Sequence, residues 1–181
     1  MKKYLIIIIA SLLVACGPKI SAEQSEKLEN LTLKVDSAVD ILTNTIDSNR
    51  LITLTSDYLN KQSFFENDMK DTVDRETIFL IDEFMRDKKA IKYLSANYGP
   101  FMNEAKAMKE QLQDLKLDID NRLVDQEQFK KYYDLENNNF LELDNAVKTI
   151  KDVYLRVDSE LVRRTPKIDS IINAYNLKSD A

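Results

Sequence analysis

From Leu28 to Leu161 apolar residues return every three or four positions. That spacing places them on one face of an α-helix, and no stretch shows the alternation of a half-buried strand. Leu28, Leu31, Val35, Ala38 and Leu42 begin the stripe, which continues through polar Thr45 and Asn49 to Ile52 and Leu59. Leu33, Val39, Ile41, Ile46, Leu51 and Leu54 widen it beyond a two-stranded seam. A wide stripe suits a bundle rather than a dimeric coiled coil. The sequence therefore predicts an all-α fold. It is an elongated antiparallel helical bundle of about four helices, with a kinked or short extra helix at the C-terminus.

The boundaries follow from caps and breakers. Ser21 with Gln24 forms a capping box that starts helix one after a tether over residues 16–21. Asn49 on the stripe is expected to fix register. Ser63 with Glu66 offers a second box, and the first reversal is placed within residues 60–72. Helix two is predicted over residues 73–96, with Val73, Thr77, Leu80, Phe84, Ile91 and Leu94 on one face. Gly99 would supply a left-handed C-terminal cap and Pro100 the first turn of helix three. Helix three carries Phe101, Ala105, Met108, Leu112, Leu115 and Ile119. A turn near Asp120 and Asn121 follows, although unbroken spacing through Arg122 and Gln126 also permits one long helix. Asp125 and Gln128 would cap helix four. Its stripe is Phe129, Tyr133, Phe140, Leu143, Val147, Ile150, Tyr154, Val157 and Leu161. Thr165 and Pro166 end or kink it, and Ile168, Ile171 and Tyr175 resume the face. Residues 22–181 thus read as one domain.

Composition removes whole classes of chemistry. With no His, imidazole bases and His-ligated metals are excluded. One Cys excludes an intrachain disulfide and a thiolate zinc cluster. Two Gly cannot build a phosphate-cradling loop or a dinucleotide fingerprint. Asp118, Asp120 and Asp125 gather like a calcium loop, but the sixth and twelfth positions hold Leu123 and Phe129 instead of Gly and Glu. They read as a solvated turn. Glu136 sits on the helix-four stripe, where a charge snorkels or pairs with Arg122 or a Lys. No metal site, no cofactor and no enzyme activity are expected. Aromatic residues gather at Phe64 and Phe65, at Tyr93, Tyr98 and Phe101, and at Phe129, Tyr132 and Tyr133. They suit ordinary core or a pocket near one bundle end.

The N-terminus is an address. Met1, Lys2 and Lys3 precede an apolar run over residues 4–15. Twelve helical residues span about 18 Å, too short for a ~30 Å hydrocarbon core. The run ends in Leu13, Val14, Ala15 and the lone Cys16, which resembles the lipobox of bacterial lipoproteins. The resemblance implies a signal peptide over residues 1–15, cleavage between Ala15 and Cys16, and a covalent lipid such as palmitate on Cys16. More than one acyl chain makes release negligible. Gly17 stands where an Asp would resemble an inner-membrane retention signal, so the analogy points to the outer membrane, on its periplasmic face. Cleavage takes away two lysines and no acid, so the net charge of −5 becomes about −7. Such a body does not bind nucleic acid.

Asp36-Ser37-Ala38, Asp71-Thr72-Val73 and Asp169-Ser170-Ile171 resemble an O-glycosylation acceptor, making Ser37, Thr72 and Ser170 candidate sites. Composition alone yields roughly one such triplet, and Asp-Ser is also a natural helix start. The functional expectation is a non-enzymatic scaffold that binds another envelope protein. The alternative is a carrier or chaperone holding an apolar ligand between the helices, with a cavity near the aromatic residues.

Overall fold

The computed structural model describes residues 19–69 and 73–179. It is all-α and bundle-like, with no strand among the described residues. Five α-helices follow in order: α1 (Ala22–Asp40), α2 (Ser48–Ser63), α3 (Arg75–Met85), α4 (Lys88–Asp120) and α5 (Gln126–Ser179). Wider π-helical turns, Ile41–Thr45 and Phe64–Asp68, follow α1 and α2.

The chain divides into two compact units. One takes Met1–Ala38 with Glu104–Asp144 and is described from Lys19 onward. Its buried residues are Leu28, Leu31, Val35 and Ala38 on α1, Ala105, Met108, Leu112 and Leu115 on α4, Val124 in the turn after it, and Phe129, Phe140 and Leu143 on α5. The predicted box at its start is present: Ser21 N–H donates to Gln24 Oε1 and Gln24 N–H to Ser21 Oγ. Gln24 Nε2 also donates to the Gln126 carbonyl, and Lys109 pairs with Asp36 at 2.6 Å.

The other unit takes Val39–Asn103 and Asn145–Ala181. Its core holds Leu42, Ile46, Leu51, Leu54 and Tyr58, then Phe84, Ile91 and Leu94, then Val147, Ile150, Tyr154, Val157, Leu161 and Ile168. Arg50 meets Asp158 and Lys61 meets Asp169, so α2 and α5 run parallel here. Tyr98 meets Leu42 and Lys88 meets Glu66, so α4 runs antiparallel to α2.

Three predicted boundaries are corrected. The first lies inside helix one. Ile46 N–H reaches back five residues to the Ile41 carbonyl, Ile46 turns extended, and Asp47 caps α2 through Arg50 N–H. This interruption rotates the helix. Ile46, Leu51, Leu54 and Tyr58 become the buried stripe, while Thr45, Asn49, Ile52 and Leu59 face outward. Asn49 is exposed and does not set register in the core. The box expected from Ser63 and Glu66 is replaced by side-chain bonds from Asn67 to Ser63 and from Gln62 to Glu66.

The second correction concerns Gly99 and Pro100, which do not end a helix. Both lie inside α4, and no described Gly has a positive φ. An interior Pro costs about 3 kcal/mol. Burial of Ile91 and Leu94 before it and Met108, Leu112 and Leu115 after it offsets that, at about 1.5–3 kcal/mol each. The break falls instead at Arg86 and Asp87, where Asp87 N–H takes the tighter bond to the Phe84 carbonyl.

The third is at Pro166. α5 passes through Thr165 and Pro166, so of the expected end or kink the end does not occur, and the residues expected as a short extra helix are its last turns. The turn at Asp120 and Asn121 stands as expected. Arg122 takes the left-handed conformation at φ 59°, and Leu123 N–H returns to the Asp118 carbonyl. Asp125 and Gln128 form the capping box of α5.

Candidate functional site

Cys16, the cleavage point after Ala15 and the acceptor Thr72 lie outside the described residues. Ser37 is exposed on α1 and Ser170 is exposed on α5. Neither starts a helix, and the aspartates beside them are engaged, Asp36 with Lys109 and Asp169 with Lys61.

The turn between α4 and α5 builds an open groove of about 310 Å³. The left-handed Arg122 and the capped Asp125 set its shape, since they turn the chain within five residues. Leu123 is left 66% exposed at the rim, while Val124 is buried beside it. Asp114 and Asp118 line one wall from α4, and Tyr132 and Glu136 line the other from α5. Leu115 and Val124 supply apolar floor. Three carboxylates thus border the groove, and no Lys or Arg lines it.

Glu136 is the least exposed of the three carboxylates. Its Oε2 is hidden from solvent with no hydrogen-bond partner. Burial pushes its carboxyl above the ordinary carboxylate range, and a weaker opposing effect comes from a bond with Asn139. The expected snorkelling is therefore incomplete. Among the described residues no group of three acidic or thiol side chains is placed to hold a metal ion. The carboxylates are spread along the groove, which matches an extended basic and apolar segment better than a point charge.

A second polar assembly lies in the other unit, and the sequence reading missed it. Asp87 is 3% exposed. Its Oδ2 accepts from Arg164 Nη1 at 2.6 Å and its Oδ1 from Arg156 Nη1 at 3.3 Å. Glu160 backs the second guanidinium nitrogen of Arg164 at 2.9 Å. Lys61 is also buried, between Asp57 and Asp169. Burial works against its ammonium, yet the two carboxylates outweigh this and hold its pKa above the ordinary lysine value. The spacing of Leu54, Tyr58 and Lys61 was a legible signal for that burial. Nothing in the run around Asp87 marks it, because its partners lie about seventy positions or more away.

The aromatic residues regroup. Tyr58 stacks on Phe84 at 4.7 Å, Phe65 meets Phe84, and Phe64 meets Phe65 and Tyr175 edge-on. Phe129 stacks on Tyr133 at 5.7 Å, and Tyr132 is exposed. Tyr98 donates its hydroxyl to the Leu42 carbonyl.

No described helix is long and apolar enough to cross a membrane. Comparison with protein-family models, with curated proteins and with solved structures finds no match to this chain.

Proposed function

We propose that this chain is a bacterial lipoprotein, held at the periplasmic face of the outer membrane by lipid on Cys16. Its helical body is a non-enzymatic scaffold that binds another envelope protein. The anchor rests on the sequence, where the lone Cys follows a short apolar run and Ala15. The scaffold reading is carried by the groove at the α4–α5 turn, acidic at its walls and apolar at its floor, with no lining cation. Its complement is a basic, partly apolar segment of a partner protein. Phe64, Phe65, Phe84, Tyr58 and Tyr175 pack against one another, face to face or edge-on, and so do not line a cavity there, which supports docking over carriage.

Two measurements test this reading. A clickable fatty acid should label the native chain and not Cys16→Ser, and equal labelling of both removes the anchor. A photoreactive residue at Tyr132, 45% exposed on the groove wall, should trap a distinct envelope protein in intact cells. Trapping should fall when Asp114 and Asp118 are changed together to Asn. Equal trapping by the changed protein would remove the groove from the function.

A further inference from the structure

The outward face of α2 lacks charge. Its exposed residues other than Arg50, namely Asn49, Ile52, Thr53, Ser56, Leu59, Asn60 and Ser63, are neutral. The three charged residues of the helix are Arg50, Asp57 and Lys61. All turn toward α5 or one another: Arg50 meets Asp158 at 2.8 Å, and Lys61 meets Asp57 and Asp169. In a chain that is 31% charged, a neutral face of this length is unusual. Along it Asn49, Ile52, Ser56, Leu59 and Ser63 are spaced three, four, three and four residues apart. This is the spacing of a coiled-coil seam. Ile52 is 67% and Leu59 50% exposed. Beside the seam, Leu51, Thr55, Ser95 and Tyr98 complete a groove of about 380 Å³ against α4. Ala96 and Gly99 on α4 are exposed, and a Cβ added at Gly99 would meet nothing within 4 Å. A second helix therefore has room to approach.

The order of the seam identifies its occupant. It reads polar, apolar, small polar, apolar, polar, and so is the same in both directions. Two copies laid antiparallel about Ser56 would set Ile52 against Leu59 of the other copy and Asn49 against its Ser63. Ser56 would meet its own equivalent on the two-fold axis, as a self-complementary interface requires. Each copy carries a net charge of −5, so two copies repel over most of their surface. The neutral face adds no charge of its own to that repulsion. We propose that α2 pairs antiparallel with α2 of a second copy of this chain through Asn49, Ile52, Ser56, Leu59 and Ser63. The seam is about 21 Å long. That is short beside the ~800 Å² per partner of a standard stable interface, so the pairing is weak and depends on concentration.

Disulfide trapping tests this in the full-length chain, purified in detergent, with Cys16→Ser removing the native thiol. Ser56→Cys should form an intermolecular disulfide about tenfold or more faster than Ser159→Cys on the exposed face of α5. Asn49→Cys should link to Ser63→Cys when the two proteins are mixed, and each should link poorly to itself. Adding Ile52→Glu and Leu59→Glu should abolish trapping while the melting temperature stays within a few degrees, because both side chains are already exposed. Several results would overturn the proposal. One is no excess of Ser56→Cys trapping over the control. Another is self-linking of Asn49→Cys in preference to the mixed pair. A third is trapping that survives both Glu substitutions. A chain that does not trap itself, yet loses a different envelope protein on Ile52→Glu, would assign the face to a foreign helix and equally exclude self-pairing.

Discussion

Arg164 Nη1 lies 2.6 Å from Oδ2 of Asp87, although the two are 77 positions apart in the chain. Asp87 sits at the break between α3 and α4, with its side chain 4% exposed. Its carboxylate is tolerable there only because two guanidinium groups meet it. Arg164→Ala should therefore destabilise by about 3 kcal/mol, the low end for breaking a buried pair, since Arg156 remains. Joint replacement of Asp87 and Arg164 by Leu should cost less than Arg164→Ala alone, because no charge is then stranded. Urea unfolding of the two variants decides the matter. A double variant less stable than the single would show that the pair contributes more than it costs to bury.

Gly99 and Pro100 lie within α4, and this has a measurable consequence. Gly99 has right-handed helical geometry and open space where a Cβ would sit. Gly99→Ala should therefore stabilise the fold by about 0.5–1 kcal/mol. Pro100→Ala should restore a backbone bond and stabilise by up to about 3 kcal/mol. A left-handed cap at Gly99 would give the opposite sign, so thermal melting of Gly99→Ala separates a continuous helix from a helix boundary.

The same proline shows where sequence reading stops. The stripe of α5 was legible because the residues that define it, from Phe129 to Leu161, lie on a single unbroken helix, whichever unit's core each of them enters. The boxes at Ser21 and Asp125 were legible because a cap is a local contact across three residues. Gly99 and Pro100 form an equally local stop signal, but the packing of both halves of α4 outweighs it. At Ile46 the failure ran the other way. A five-residue π turn cost little in sequence pattern, yet it moved Ile52 and Leu59 from the expected core to the surface. The groove was half legible. Asp118 reads from the sequence as part of a solvated turn with Asp120 and Asp125, and Glu136 as a charge on the α5 stripe, but nothing local shows that the α4–α5 turn sets them along one cleft with Tyr132.

Ile150 is fully buried and Val147 is 1% exposed at the middle of the α5 stripe. Truncating Ile150 to Ala removes three heavy atoms from a packed core and should cost about 2–5 kcal/mol. Lys148 is exposed on the opposite side and should tolerate Ala within about 0.5 kcal/mol. Melting curves for the pair check this. A negligible effect of Ile150→Ala would mean that the stripe is open in solution to receive another helix.

Glu136 should oppose stability and support binding at the same time. Burial raises its carboxyl pKa in the folded chain, and its Oε2 lacks a partner. The fold therefore favours the protonated acid over the carboxylate. The resulting stabilisation is fully present below the unfolded value of about 4.5 and is lost as pH rises through the higher folded value. Above that window the ionised group weighs against the fold, moderated by its partial exposure to water. Glu136→Gln cannot ionise. It should be more stable than the native chain near neutral pH, by about 1 kcal/mol or less, and the gap should close as pH falls toward about 4. A basic partner segment supplies the counter-charge that Oε2 lacks, so the same variant should trap less of the partner at Tyr132. Urea midpoints measured across pH, beside trapping yields at neutral pH, read the two effects separately. Equal stability of both proteins at every pH would mean that Glu136 is solvated in the folded state, and unchanged trapping would mean that its charge faces no partner.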